Sequence, residues 1–466
     1  MVERNNTRYI LRTAILLLLS FSCLALYVVY LQVWEADQLA EHPLNRRAAL
    51  AEDSVLRGSI LDRKGEVLAL SPNVGERRYP YGRIMAPVTG YLDDTIGSTG
   101  IEAYKGAELS GHSRLLGRLG PLAQIFSSAR GDDVYLTLDA ALQETAYEAL
   151  GERRGAVVML DAESGAVLVL ASRPSFDPSD VQAQWDSLRQ DKESPLVNRA
   201  LQGLYPPGST IKPLILDAAL ENGVTNSKEV FDCTGALKVG DSVIHESHGA
   251  VHGRIDVEHA LIESCNTTFG SLALRLGGKK LADAFQRFGF EETAQGELAE
   301  AAAHLPDFAS LGQGDMAQIG IGQSTLLVTP LHMALLAAAF ANDGIVMKPY
   351  MVERVVTPNG ITLEQHRSEK WFEATTAARA SLIHGFMEEV VQEGTGTAAA
   401  LRGVRVAGKT GTAENSGEDH AWFIGSAERS GRKIVMAILV EEGGFGGHTA
   451  AGIAHTVIQQ YFEGLR

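Results

Sequence analysis

Basic runs are missing from this sequence, a second long apolar stretch is missing too, and cysteine is scarce. With no cluster of Lys or Arg and a formal charge of −16, the chain lacks the positive surface that neutralises phosphates, which excludes a nucleic-acid binder. After residue 33 every hydrophobic run is broken by Gly, Pro or charge, so no further membrane span is expected. The cysteines number three. Cys23 lies inside the apolar N-terminal stretch and lacks the aliphatic residue three positions earlier that a lipoprotein signal wants. Cys233 and Cys265 lie beyond it; an exported compartment permits a bond between them, and the sequence leaves that pairing open. No internal repeat is present. Gly312-Gln313-Gly314 and Gly320-Ile321-Gly322 open no Walker-type motif, so they are expected to shape backbone near a cleft rather than cradle phosphate. His245, His248 and His252 cluster locally, but Gly249 and Gly253 oppose a shared helical face and no zinc spacing is present. A surface loop is expected there, with neither metal nor cofactor.

What the sequence does contain is ordinary globular proportion: 466 residues, 45% hydrophobic and 21% charged, enough for more than one domain. Thr13 to Val33 carries no charged side chain and has the length of a membrane-spanning helix. Arg4, Arg8 and Arg12 precede it against Glu3 alone, so the positive-inside bias sets the N-terminus in the cytoplasm and the rest outside. No small-x-small site follows the stretch, which favours an anchor over a cleaved signal. The expected organisation is a cytoplasmic tail at 1–12, a transmembrane helix at 13–33, a small turn-rich module at 34–150 and a larger domain at 151–466.

Within the larger domain, Gly155 to Asp161 and Ala166 to Ser172 are apolar runs joined by Ala162-Glu163-Ser164-Gly165, the form of a hairpin in a well-covered sheet. Val404 to Ala413, Ala421 to Ala427 and Lys433 to Glu441 read as three more strands. Helical patterns occupy Thr210 to Asn222 and Leu331 to Asn342 between these groups, Ala450 to Phe462 after them, and Asp139 to Glu152 before them. The expected fold is α+β: an antiparallel sheet covered by helices, with a helical insert.

Three short motifs carry the chemistry. In Pro206-Pro207-Gly208-Ser209-Thr210-Ile211-Lys212 the prolines and glycine end an extended segment and a helix starts near Ser209. The spacing sets Lys212 on the same face, where a neutral amine can take the hydroxyl proton. Seen alone, an N-cap serine with an incidental exposed lysine fits as well or better. In Ser264-Cys265-Asn266 a hydroxyl and an amide follow a helical stretch, Val257 to Glu263; Ser264 can relay protons and Asn266 can bind a substrate amide. A C-terminal helix cap through Asn fits that segment alone. In Ala407-Gly408-Lys409-Thr410-Gly411-Thr412-Ala413 a peptide can pair along the strand where Gly411 has no side chain, Lys409 and Thr410 can meet a carboxylate, and the N–H groups of Thr412 and Ser209 can form an oxyanion hole. Each such donor is worth roughly 3 to 4 kcal/mol in a transition state. A glycine bulge with a solvated lysine is the rival here.

In this order, Ser-x-x-Lys, Ser-x-Asn and Lys-Thr-Gly make the chain resemble penicillin-binding proteins and their serine β-lactamase relatives. Gly155 to Asp177, Asn198-Arg199-Ala200, Thr329-Pro330-Leu331 and Ala421-Trp422-Phe423-Ile424-Gly425 are similar to landmarks of the transpeptidase domain. Arg57 to Gly65 and Gly97 to Glu102 resemble the pedestal, or dimerisation-like domain, of class B members, so the likeness runs from about residue 45 to the end.

The resemblance implies a five-stranded transpeptidase fold with a helical subdomain and a D,D-transpeptidase that cross-links peptidoglycan stem peptides. Ser209 would be the nucleophile, with Lys212 and Ser264 catalytic and Asn266, Lys409, Thr410, Gly411 and Thr412 holding substrate. It implies covalent binding of β-lactam antibiotics, no cofactor, and a separate membrane glycan-polymerising partner of the shape, elongation, division and sporulation type, since the segment before residue 150 is too short for a class A glycosyltransferase. A D,D-carboxypeptidase or β-lactamase-like hydrolase is the nearest rival. A non-catalytic scaffold or β-lactam sensor is a rival of another kind, opposed by three intact motifs and by the few residues ahead of the span.

Overall fold

The structure, a computed structural model, describes residues 2–33, 55–112, 130–240, 242–415 and 417–464. The start of the resemblance near residue 45, and the parts of the 34–150 module at 34–54 and 113–129, lie outside the described residues. The first helix, α1 (Val2–Val33), carries the apolar stretch Leu11–Leu31, whose mean hydropathy is 2.5 and of which 0% is buried against the rest of the chain. By length and composition it is a candidate single membrane span.

The small module is built on a five-stranded sheet in the order Thr362–Gln365, Val352–Val356, Asp133–Leu136, Ile60–Leu61, Val67–Ala69. Ile60–Leu61 runs parallel to Asp133–Leu136, which pairs antiparallel with Val352–Val356. Two of its strands thus come from far beyond residue 150, and a division of the chain at that point cuts through the sheet. Asp62 accounts for the turn in Arg57–Gly65: its Oδ1 accepts the N–H groups of Lys64 at 2.7 Å and Glu66 at 2.9 Å. Its Oδ2 accepts the N–H of Ala140 at 3.1 Å, satisfying an orphan donor at the start of a later helix, α2 (Ala140–Ala149), and fastening the two units together.

Glu102, 0% exposed, accepts from Arg57 Nε at 2.8 Å and Arg77 Nε at 2.6 Å. Removing one partner of a buried charge cluster strands the others without water, which costs about 3–5 kcal/mol. Glu102→Ala is therefore expected to lower the unfolding free energy of the ectodomain, measured by denaturant titration, by an amount in that range, with an unchanged value counting against this role.

The larger unit runs β1 (Gly155–Asp161), β2 (Val167–Arg173), α3 (Lys212–Glu221), α4 (Asn266–Arg287), α5 (Pro330–Ala341), α6 (Ala377–Gln392), β3 (Arg405–Ala413), β4 (His420–Arg429), β5 (Arg432–Val440) and α7 (Thr449–Glu463). These five strands form one antiparallel sheet in the order β3-β4-β5-β1-β2. Along β1, Ala156, Val158 and Leu160 join the core that includes α5, while Val157 and Met159 join the core under α2 and α7. Both faces are covered, which is why these strands read as continuous apolar runs rather than alternating ones. The sheet and helices match the expected α+β arrangement, with ends moved by one to three residues. β3 lies at an edge of the sheet, leaving one row of its backbone groups without a strand partner among the described residues.

α3 carries Lys212 as its first residue and is held against rotation by buried Asp217. Asp217 accepts Arg379 Nε at 2.9 Å, Arg287 Nη2 at 2.6 Å and the Thr375 hydroxyl, tying α3 to α4 and α6.

Candidate active site

Ser209 occupies a short 3-10 turn, Gly208–Ile211, that runs directly into α3. The turn is fixed from three sides. Trp422 Nε1 on β4 donates to Pro206 O at 3.0 Å, Thr210 Oγ1 to Pro207 O at 2.6 Å, and Gly208 N to Gly322 O at 2.9 Å. Gly208 has φ +54°, and a Cβ on it would lie 2.7 Å from Thr412 O; a Cβ on Gly322 would lie 2.0 Å from Gly208 O. Only glycine at both positions lets β3 and the 320–322 loop close on the serine turn. The expectation that Gly320-Ile321-Gly322 shapes backbone near the cleft thus has a specific form. At Gly411 a Cβ would meet Thr210 Cγ2 at 2.9 Å and Pro207 O at 3.0 Å, so the missing side chain admits the serine turn.

Ser264 lies past the helix Val257–Ile262 with φ +60°, and Cys265 precedes α4, so Asn266 opens a helix instead of capping the previous one. Lys212, fully buried, donates to Ser264 O at 2.6 Å, Ser264 Oγ at 3.1 Å and Asn266 Oδ1 at 2.8 Å. Lys409, also fully buried, donates to Ser264 Oγ at 2.9 Å and Thr410 O at 3.0 Å. The two lysines use both acceptor positions of the Ser264 hydroxyl, which leaves its proton to point elsewhere. Among the described residues, no hydrogen bond is made by the Ser209 hydroxyl. Ser209, Ser264, Asn266, Thr410 and Thr412 line one cleft, with Lys212 and Lys409 behind it.

Burial lowers the Lys212 pKa to about 8 against the opposing pull of Glu246 and Cys265. Burial, then the Lys212 charge beside it, holds Lys409 well below the ordinary lysine range. Two desolvated ammonium groups sharing one hydroxyl repel, so the pair disfavours carrying both charges.

Glu246 was not singled out in the sequence. It follows strand Ser242–His245, and its Oε2 accepts Asn266 N at 2.8 Å while Oε1 accepts Thr267 N at 2.7 Å. Burial pushes its pKa up, but these two N–H bonds outweigh that and keep it below the usual carboxylate range. Thr395, also unanticipated, has its hydroxyl 2.7 Å from that of Thr410. Their only signal was an acid inside the histidine-rich stretch and a threonine in a glycine-rich turn. The three histidines have separate partners: His245 offers its carbonyl to Asn266 Nδ2 at 2.9 Å, His248 packs against Phe445, and His252 Nδ1 lies 3.4 Å from Cys233 Sγ. Cys233 and Cys265 are free thiols.

Buried cations around a serine at a helix start, beside an open strand edge, can activate a hydroxyl, relay its proton and hold a peptide that ends in a carboxylate. Residues 155–459 match the penicillin binding protein transpeptidase domain, and residues 57–123 the penicillin binding protein A dimerisation domain. Peptidoglycan D,D-transpeptidase PbpA of Mycolicibacterium smegmatis is 34% identical, over 96% of this chain and 97% of that protein. Penicillin-binding protein A from M. tuberculosis, solved as a ceftriaxone acyl-enzyme complex, superposes with a TM-score of 0.82 at 30% identity, covering 88% of this chain and 99% of that one. A D,D-transpeptidase domain from Eggerthella lenta gives a TM-score of 0.80 at 32% identity over 88% and 99% of the two chains.

Proposed function

Since this chain belongs to the class B penicillin-binding protein transpeptidases, we propose that its cleft carries out their acyl transfer with Ser209 as the nucleophile. The protein is a peptidoglycan D,D-transpeptidase of cell-wall synthesis that binds β-lactams covalently. The observation that supports these residue roles is the convergence of Lys212 and Lys409 on the Ser264 hydroxyl at the back of the cleft that Ser209 lines.

The stem peptide lies along the free edge of β3, its terminal carboxylate beside Lys409 and Thr410 and an amide on Asn266. That carboxylate restores the charge of Lys409, and the renewed cation drives Lys212 toward the neutral form in which it is a base. Neutral Lys212 takes the Ser209 proton as the oxygen attacks the carbonyl between the terminal D-alanines. The N–H groups of Ser209 and Thr412 receive the oxyanion, Ser264 passes the proton to the leaving amine, and D-alanine departs. An amine of a neighbouring strand then reverses the sequence on the acyl-enzyme.

Arg4, Arg8 and Arg12 set the N-terminus in the cytoplasm and the cleft outside. Glycan chains come from a membrane polymerase that meets the span and the pedestal. Full-length protein reconstituted with such a polymerase and lipid-linked precursor is expected to yield cross-linked muropeptide dimers by chromatography and mass spectrometry. Release of D-alanine without any dimer would assign the cleft to hydrolysis instead.

A further inference from the structure

The carboxylate end of the cleft holds a hydroxyl that belongs to none of the three motifs. Thr395 Oγ1 lies 2.7 Å from Thr410 Oγ1, and both residues line the cleft with Ser209. Each of these hydroxyls has the other as its one hydrogen-bond partner among the described residues. Thr410 is buried and Thr395 half-buried, so bulk water offers Thr410 little in exchange.

The bond between them uses one of two protons, and its direction decides what the cleft presents. If Thr410 donates, its proton is committed to Thr395. If Thr395 donates, the Thr410 oxygen is satisfied from behind and its own proton is left for the cleft. An ionised carboxylate only accepts hydrogen bonds, so it selects the second arrangement. Two hydroxyls in series that end on an anion polarise one another, and a hydrogen bond to a charged acceptor is stronger than a neutral one.

Thr395 is held where this role needs it. Its turn, at 393–396, follows α6, with Gly394 N donating to Glu389 O at 3.2 Å and Gly396 N to Val390 O at 2.9 Å. A Cβ on Gly394 would lie 2.8 Å from Ile262 O, and one on Gly447 would lie 2.3 Å from Thr395 O. The turn is thus wedged between the helix that leads to Ser264 and the loop ahead of α7. At its other end α6 is tied to α3 by the bond from Arg379 to Asp217. On β3, Lys409 Nζ donates to Thr410 O at 3.0 Å, which fixes the Thr410 backbone as Thr395 fixes its side chain.

We propose that Thr395 is a positioning residue for the substrate carboxylate: it donates to Thr410 Oγ1 and so turns the Thr410 proton toward the anion that Lys409 also meets. The inference deepens the acyl-transfer reading of the cleft and rests on it. It assigns the site a preference for ligands ending in a free carboxylate over the same ligands esterified there, because a neutral ester is the weaker acceptor.

The test compares second-order acylation rates of full-length protein in detergent, followed by intact mass, with benzylpenicillin and with its methyl ester. Thr395→Val keeps the side-chain shape and removes the hydroxyl. It is expected to slow acylation by the acid about tenfold and by the ester less than about twofold, so the acid-to-ester ratio falls. Thr395→Ala should lower the ratio in the same way and serves if valine crowds the turn. Thr395→Ser retains the hydroxyl and should keep the ratio within about twofold of wild type. In a Thr410→Val background, Thr395→Val should slow the acid no further, because the group through which it acts is gone. Equal slowing of acid and ester would mark a merely structural role and overturn the proposal. A ratio that serine fails to preserve, a further loss of similar size in the Thr410→Val background, or a wild type that reacts equally with acid and ester would overturn it too. An adduct persisting on Ser209→Ala would overturn the nucleophile assignment alone, since the ratio reports on the carboxylate pocket whichever residue takes the acyl group.

Discussion

Ser209→Ala is expected to abolish covalent labelling by a fluorescent penicillin while leaving the protein folded. The acyl-enzyme requires an oxygen at this position, and neighbouring hydroxyls cannot replace it. Ser264 Oγ is held by two lysines, and Thr410 Oγ1 is engaged by Thr395. Folding should be unaffected because Ser209 is only half-buried and its hydroxyl anchors nothing among the described residues; the turn is held by Trp422, Thr210 and Gly208. A change within about 0.5 kcal/mol is expected for such a substitution. Gel fluorescence with intact-mass analysis decides the matter, and stoichiometric adduct on the alanine variant would move the nucleophile elsewhere.

Lys212→Met is the second large effect. A positioned base contributes roughly a hundredfold to ten-thousandfold to attack by a serine hydroxyl, and methionine keeps the buried volume while removing the amine. The second-order acylation rate should fall by that factor. Stability should fall as well, by about 1–3 kcal/mol, because Ser264 O and Asn266 Oδ1 lose their donor in a buried place. The pH profile separates catalysis from damage. The base works when neutral, and burial sets the Lys212 pKa to about 8, so the wild-type acylation rate should rise with pH, bend near 8 and level above it. Below that pH the amine is protonated and the rate falls in proportion. The methionine variant should lose the bend; if it keeps the same inflection, another group is the base.

How much of this was readable beforehand varies with the range of the interaction. The strands of the large sheet were legible because burial on both faces writes itself as uninterrupted apolar runs in Gly155–Asp161 and Arg432–Val440. Motif order pointed to Ser209 as the proposed nucleophile where local spacing did not, since Ser209 and Lys212 alone fit a capped helix. Glu246 left no readable trace, because its importance lies in two backbone donors of a segment that follows after another strand and a helix. Gly411 was readable as a glycine that mattered, but its reason, contact with Pro207 and Thr210, depends on a distant turn. The pairing of Val352–Val356 with Asp133–Leu136 was equally hidden, because short strands carry no label naming their neighbour.

That last pairing bears on inheritance. A crossover near residue 150 between two relatives would give a hybrid in which Ile60–Leu61 and Asp133–Leu136 come from one parent and Val352–Val356 from the other, with their side-chain contacts never selected together. Asp62 would likewise meet the start of a foreign α2 whenever the exchange fell before Ala140. Pedestal and catalytic unit are thereby bound to descend as one piece, and drift in either is checked by its fit to the other.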